Sequence, residues 1–522
     1  MRRRLALALA AAAAVAGALL LLWLGEADAR PGGGHSYSGG GGFSGGGGYS
    51  GGGSSGGGSS SGGGELIYLL VRLIIEAPQI GVPVAAALIG GYIWFKRQTS
   101  ADAHASWDSV ALLVPPPPPA IEQIRQLDPQ FSVVLFEDFL FRLYSQAHRV
   151  RHDATALAAL APYLSRSARE HLAARVPDGA PAGDVVIGSL RTSQVLMPPR
   201  LAGPDGVERF ASRSGDGRPY YVKVTVEIEA NMTVVAAGKE TTYYVREQWT
   251  LGRDAAAHSR PLGRARTFDC PNCGAPFQSS DEQTCAHCGE VVATGRFDWM
   301  VGSIALLHQE TRPPLLGGYS PEVGTWGETI THPRLDFSLA ALRRDDPALT
   351  DEAMASRLTR IYTELNAGWS EQDLARIRPF VSDGMYDYLR YWIAAYRRQK
   401  LINRLEGMKM TGWRYAKVTR DAHYDAITVR LWATGRDFTV HAESGAVVGG
   451  SRSTNRDYSE YWTLVRGASV RGAPRSDRRC PNCGADLKIS MAGSCEYCQV
   501  HVTSGEFDWV LSKIEQDEAY RG

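Results

Sequence analysis

Eight cysteines in two identical quartets constrain the fold of this chain more than any other feature of its sequence. Each quartet has the spacing C-x2-C-x11-C-x2-C, and no cysteine lies outside them. Cysteines of a disulfide framework are usually scattered along a chain, whereas pairs separated by two residues form tight turns that bind a metal ion. The eight candidate metal ligands are Cys270, Cys273, Cys285, Cys288, Cys480, Cys483, Cys495 and Cys498.

The metal predicted for both quartets is zinc. Four thiolates complete a tetrahedron and leave no open position, so we expect two structural zinc ions rather than catalytic ones. A ribbon of this length is too short to bury a core, and metal binding would stabilise it by roughly 10 to 16 kcal/mol. Catalytic zinc, iron in a rubredoxin-like site and a thiol redox switch are the alternatives.

The quartets belong to a longer internal duplication. The hexapeptide that starts at Cys270 recurs at Cys480, and the Gly-x-Phe-Asp-Trp segment that starts at Gly295 recurs at Gly505. The Trp-Thr-Leu segment that starts at Trp249 also returns in the second half of the chain. Two copies of one larger unit, each with its own ribbon, are therefore predicted.

The pattern of apolar residues predicts the same order of elements in both copies. In the first copy, Phe136, Leu140 and Leu143 recur at helical spacing, and later Val222 and Val224 begin a period-two alternation that is typical of strands. The second copy also has helical periodicity first and strand alternation afterwards. Helices that precede a series of strands predict an α+β fold.

The second copy resembles the Tim44-like domain, a family named after a subunit of the mitochondrial inner-membrane protein translocase. The resemblance is strongest over 350–466 and weaker over 128–253, where a long insert lies around 203–217. The residues that carry it are Trp369, Asp373, Leu374, Arg378, Pro379, Tyr386, the segments 403–406 and 424–429, Asp437 and the segment 460–463.

This resemblance implies two cone-shaped domains of the nuclear transport factor two-like type, at 121–256 and 335–468. A zinc ribbon with a following helix is expected after each cone, at 265–312 and 476–522, where Asp298 and Asp508 are available as helix caps. The family implies membrane-peripheral binding or tethering linked to protein transport, and it supplies no catalytic residues. We therefore expect a protein that is not an enzyme.

The N-terminal quarter of the chain predicts a membrane anchor. A basic start and an apolar run indicate a signal peptide at 1–29, with an uncleaved anchor as the alternative. The Gly/Ser-rich segment 30–64 is predicted to be disordered. A transmembrane region is expected at 65–97, and a Pro-rich linker at 98–120 then leads to the first cone.

The charges beside the predicted transmembrane region indicate its orientation. Lys96 and Arg97 follow its C-terminal end, and basic residues favour the cytoplasmic side. We therefore expect a bacterial inner-membrane protein that spans the membrane once after signal cleavage, with both cones in the cytoplasm. The lipid bilayer and a protein of unknown identity are its expected partners.

Composition and motifs argue against two other classes. The net charge is +1, and no Lys or Arg occurs between Cys270 and Glu290, so the first ribbon has little to offer a phosphate backbone and nucleic-acid binding is disfavoured. No H-E-x-x-H motif is present. The histidines of the first copy are predicted to be surface or packing residues; these are His148, His152 and His171. Small-ligand binding or acid–base chemistry inside a cone and nucleic-acid binding by the ribbons remain as alternative functions.

Overall fold

The computed structural model describes residues 121–522 apart from 176–181, 204, 237, 261–266, 312–323, 476–478, 491, 492, 504, 506 and 518. The predicted signal peptide (1–29), Gly/Ser-rich segment (30–64), transmembrane region (65–97) and Pro-rich linker (98–120) therefore lie outside the described residues. No helix within the described part of the chain is long and apolar enough to cross a membrane.

The first copy begins with helices. A 3₁₀ helix at Ile121–Gln126 precedes α1 (Val133–Val150), α2 (Ala154–Ala158) and α3 (Arg166–Ala173). Each α-helix starts at a side-chain cap, because the side chains of Ser132, Asp153 and Ser165 accept hydrogen bonds from backbone N–H groups of the first turn. The apolar face predicted for α1 is buried.

Four antiparallel strands form the sheet of the first copy. They are β1 (Ala182–Leu196), β4 (Tyr221–Ala236), β5 (Lys239–Asp254) and β6 (Met300–Thr311), in the order β1-β4-β5-β6. The short strands β2 (Arg200–Ala202) and β3 (Glu208–Phe210) pair separately as a hairpin. The alternation predicted from Val222 onward is confirmed, since Val222, Val224, Val226 and Ile228 are all buried.

The second copy repeats this order. Its helices are α4 (Leu335–Asp345), α5 (Asp351–Glu371), α6 (Leu374–Ile377), a 3₁₀ turn at Arg378–Phe380 and α7 (Asp383–Arg398). Its strands are β7 (Leu401–Arg420), β8 (Tyr424–His441), β9 (Val447–Gly450), β10 (Arg456–Gly467) and β11 (Val510–Gln516). They pair in the order β7-β8-β10-β11, and β9 adds to one end of β8. The predicted mixture of helices and sheet is confirmed in both copies.

The helices predicted to follow the ribbons are wrong, because both segments are strands. After the first ribbon, β6 pairs with β5 and places Val301 opposite Leu251 and Ile304 opposite Trp249. After the second ribbon, β11 pairs with β10 in the same way. A short apolar segment can form either a helix or a strand. Here, pairing with a strand that is distant in the sequence selects the strand. Asp298 caps no helix; its Oδ1 accepts the N–H of Trp299.

Each ribbon is consequently an insertion between the last two strands of a helix-and-sheet unit, which we call a cone, rather than a domain that follows that unit. Each copy has its own buried core, and Trp299 and Trp509 contribute to the cores of the first and second copies. The copies also contact each other. Lys513 Nζ donates to Glu137 Oε1 at 3.0 Å, and Val186 and Tyr244 of the first copy join the core of the second.

Candidate metal centres

The first quartet brings its four sulfur atoms together. All four Sγ atoms lie within 4.8 Å of one another, and those of Cys270 and Cys288 are 3.9 Å apart. Sulfur atoms bound at about 2.3 Å to one tetrahedral zinc ion are about 3.8 Å apart, so the observed spacing fits zinc. Cys270 and Cys285 are buried, whereas Cys273 and Cys288 are partly exposed.

The second quartet has the same geometry. Its four Sγ atoms also lie within 4.8 Å of one another. The Cys480 and Cys498 sulfurs are 3.7 Å apart, and the Cys483 and Cys495 sulfurs are 3.9 Å apart. None of the eight cysteines forms a disulfide. Each quartet therefore has a donor set and a spacing that could hold a metal ion such as zinc.

Tight turns position the two sulfurs of each Cys-x-x-Cys pair. The N–H of Cys270 donates to the carbonyl of Ala275 at 2.8 Å, and the N–H of Gly274 donates back to the Cys270 carbonyl at 2.9 Å. This turn needs a left-handed residue, and Gly274 has φ +80°. The corresponding Gly484 has φ +74°. The turn thus requires glycine directly after the first Cys-x-x-Cys pair of each quartet.

Hydrogen-bond donors around the sulfurs favour thiolates. The backbone N–H of Glu290 and the side chain of Asn272 lower the pKa of Cys288 to about 7. In the second ribbon, the side chain of Asn482 and a backbone N–H lower the pKa of Cys498 to about 6. Burial instead raises the pKa of Cys270 to about 12. A bound cation would offset the cost of a thiolate at such a buried position.

A glycine with positive φ connects each ribbon to its cone. The carbonyl of Gly295 accepts the N–H of Asp254 at 2.8 Å, and the carbonyl of Gly505 accepts the N–H of Gly467 at 2.7 Å. A Cβ atom on Gly295 would lie 2.9 Å from the carbonyl oxygen of Gly252. Close backbone approach therefore explains why this repeated position is glycine.

A buried ion pair supports the tryptophan that follows each ribbon. In the first copy, Arg253 Nη2 lies 2.9 Å from Asp128 Oδ2, and the Arg253 guanidinium carbon lies 4.8 Å from the centre of the Trp299 ring. Both ion-pair side chains are at most 2% exposed. The second copy repeats this arrangement with Asp346, Arg466 and Trp509, at 2.8 Å and 4.4 Å.

The Phe-Asp-Trp segment of the first copy divides between ribbon and cone. Phe297 packs against Cys270, Cys285 and Val292 of the ribbon. Trp299 does not, because it packs in the core of the first cone. One segment therefore joins the packing of the metal ribbon to that of the cone.

A polar cluster inside the first cone was not predicted from the sequence. His148, predicted as a surface or packing residue, is fully buried, and its Nε2 lies 3.2 Å from Glu247 Oε2. The same oxygen accepts the indole N–H of Trp249 at 2.8 Å, and Arg175 Nη1 contacts Glu247 Oε1. The sequence feature that could have indicated this cluster is Glu247, which lies two residues before the inward-facing Trp249. Of the other two histidines, His152 is exposed and His171 is partly buried.

Residues that carry the family resemblance meet inside the second cone. The indole N–H of Trp369 donates to Asn403 Oδ1 at 2.8 Å, and Asn403 Nδ2 donates to Asp437 Oδ1 at 2.7 Å. All three residues are buried. Asp373 accepts two backbone N–H groups at the start of α6. These residues join helix α5 to strands β7 and β8, which is a role in the fold.

Comparison with known proteins agrees with this placement. The Tim44-like domain family model matches residues 335–475. No curated protein matches the chain. One solved structure, described as "Ntf2 like protein involved in plasmid conjugation", has 9% sequence identity over 73% of this chain and 96% of its own, with a TM-score of 0.16. The resemblance predicted from the sequence is confirmed for the second copy: residues 335–475 form a Tim44-like domain.

Proposed function

We propose that this chain is a membrane-anchored binding or tethering protein that presents two zinc-stabilised cones at the cytoplasmic face of a bacterial inner membrane. The observation that carries the proposal is the Tim44-like domain at 335–475, whose family implies a binding role linked to protein transport. The anchor rests on the sequence of 65–97 alone. The proposed partners are the lipid bilayer and a protein segment.

Zinc is proposed to serve structure rather than chemistry. Each quartet supplies four sulfur ligands, which fills a tetrahedral site and leaves no position for a substrate or water. Each quartet is also tied to a sheet, through Gly295 in the first copy and Gly505 in the second. Metal binding would then hold the last strand of each cone in place, which supports a role in stability.

The cytoplasmic location follows from two properties of the sequence. Basic residues follow the predicted membrane crossing, and the thiol quartets suit a reducing compartment, where free cysteines persist. A membrane-impermeant maleimide applied to intact spheroplasts should therefore leave the eight cysteines unlabelled until the membrane is permeabilised. Labelling of unpermeabilised spheroplasts would contradict the proposed orientation.

The binding role can be tested by site-specific photo-crosslinking in cells. A crosslinking amino acid at Phe337, which is 67% exposed on α4, should form a discrete protein or lipid adduct. The matched control is Leu201 in the β2–β3 hairpin of the first copy, which is 52% exposed. Absence of any adduct at Phe337 and at other exposed positions of 335–475 would contradict the binding role.

The metal can be tested on the purified chain. We expect two equivalents of zinc per chain by elemental analysis, and one equivalent in the Cys480→Ser variant. Iron in place of zinc would indicate a rubredoxin-like site, and neither metal would refute the ribbons as metal centres. Salt-sensitive retention on DNA would instead favour the nucleic-acid alternative.

A further inference from the structure

The interior of the first cone contains a buried cation that has no counter-ion in the described part of the chain. Arg151 is 4% exposed, and its Nη1 lies 3.1 Å from His148 Nδ1 and 3.7 Å from Met232 Sδ. Its Nε has no hydrogen-bond partner among the described residues. No described carboxylate forms an ion pair with it either. A guanidinium removed from water without an anion is costly, so this site favours the binding of a negative charge.

Among the described residues, the carboxylate of Glu247 lies closest to this group in the hydrogen-bond network, and it already has three partners. Arg175 contacts Oε1 of Glu247, while His148 and Trp249 both contact Oε2. Arginine only donates hydrogen bonds, so His148 Nδ1 must accept from Arg151, and its Nε2 then carries the hydrogen that is donated to Glu247. His148 is thus neutral and lies between the Arg151 guanidinium and the Glu247 carboxylate. Arg175 and Glu247 cancel in charge, which leaves the charge of Arg151 unbalanced by any residue that the structure describes.

A second unpartnered group lies beside these cations. The hydroxyl of Tyr144 is buried and has no hydrogen-bond partner among the described residues. The centre of the Tyr144 ring lies 4.4 Å from that of His148, whose Nδ1 contacts Arg151, so the phenol belongs to the same buried cluster. A neutral phenol can donate one hydrogen bond to an anion. The cluster therefore offers an anion the N–H donors of the Arg151 guanidinium and the hydroxyl of Tyr144.

The second cone lacks this arrangement, although the two helices match position by position. Counted from the caps Ser132 and Thr350, Tyr144 corresponds to Tyr362 and Arg151 to Trp369. Tyr362 Oη is 2.9 Å from Tyr458 Oη, and the Trp369 indole is bound to Asn403. At both positions the second cone provides a hydrogen-bond partner, so the unpartnered groups at these two positions are specific to the first cone.

We infer that the first cone binds one carboxylate group of a ligand, held by Arg151 and Tyr144. A monocarboxylate balances the single uncompensated charge, and its two oxygens match the paired donors of a guanidinium. Such a ligand is either a small organic acid or the head of an acyl chain. The two copies would then have different roles, with a ligand site at Tyr144 and Arg151 in the first cone and partnered side chains at the matching positions of the second.

Equilibrium dialysis of the full chain in detergent micelles, with empty micelles as the blank, tests this inference. The probes are radiolabelled butyrate and octanoate, with the corresponding alcohols as neutral analogues. We expect saturable binding of one acid per chain and no comparable binding of the alcohols. Binding of octanoate alone identifies an acyl chain, whereas equal binding of both acids identifies a small organic acid.

Two tyrosine variants, one in each cone, test the carboxylate site even if Arg151→Met fails to fold. Arg151→Met should weaken acid binding by about tenfold or more, since it removes a charge-assisted contact. Tyr144→Phe removes a hydroxyl that has no partner, so it should weaken binding without a loss of stability. Tyr362→Phe breaks the bond to Tyr458 but should bind the acid normally. The inference is overturned if neither acid binds saturably, if the alcohols bind equally well, or if Arg151→Met and Tyr144→Phe bind like the unaltered chain.

Discussion

Loss of metal from the second ribbon should loosen the Tim44-like cone without unfolding it. The ribbon occupies the 42 residues between the end of β10 at Gly467 and the start of β11 at Val510. The folded ribbon closes this interval, because the Gly505 carbonyl is bound to the Gly467 N–H. If Cys495→Ser prevents metal binding, those residues become a flexible loop. Closing such a loop costs about 3 kcal/mol by the usual logarithmic dependence on length.

Burial of the segment that leads into β11 opposes this loss. Trp509, Val510 and Leu511 are at most 2% exposed, and each side chain stabilises the cone by about 1.5 to 3 kcal/mol through burial. Their combined contribution exceeds the closure cost, so β11 should remain paired with β10. The expected result is a cone that is weaker by about 3 kcal/mol but still folded.

Hydrogen exchange of the full chain measures this effect locally. Peptides from β10 and β11 should exchange about a hundredfold faster in Cys495→Ser, which corresponds to the lost 3 kcal/mol. Peptides from β5 and β6 should be unchanged, because the first ribbon keeps its metal. Tyr497→Ser alters an exposed residue of the same ribbon that is not a ligand and serves as the control. The reasoning is refuted if β10 and β11 lose all protection in Cys495→Ser, or if their exchange does not change.

Three further outcomes follow from single contacts. Asp346→Asn removes the partner of buried Arg466 and should lower the free energy of unfolding by about 3 to 5 kcal/mol in urea titrations, whereas Asp205→Asn, in an exposed pair, should have a much smaller effect. Gly505→Ala should destabilise more than Gly445→Ala: both have positive φ, but only at Gly505 does the new Cβ meet backbone, 3.1 Å from the Val465 oxygen. Burial lowers the pKa of His148 well below 6.5, so the unfolded chain takes up a proton that the folded chain excludes. Stability should therefore fall as pH drops below 6.5, by up to about 1.4 kcal/mol per pH unit, and His148→Gln should reduce that slope; equal slopes would contradict a buried neutral histidine.

Several features of the fold were predictable because they depend on neighbours in sequence. The Cys-x-x-Cys turns need only a few adjacent residues, and the buried alternation from Val222 follows from the pleat of a strand. The duplication was equally visible, since repeated strings such as those at Cys270 and Cys480 require no structure to recognise. The resemblance of the second copy to the Tim44-like domain was confirmed on the same basis.

Other features depend on residues that are far apart in the chain, and only the tertiary structure decides them. The segment after each ribbon has an apolar pattern that suits a helix or a strand, and pairing with β5 or β10 selects the strand. His148 and Glu247 are separated by 99 residues, so no local pattern indicates that they share a hydrogen bond. The uncompensated charge of Arg151 is likewise a property of the packed cone: in the sequence it is an ordinary residue at the end of a helix, and burial without an ion pair to any described carboxylate makes it a candidate ligand site.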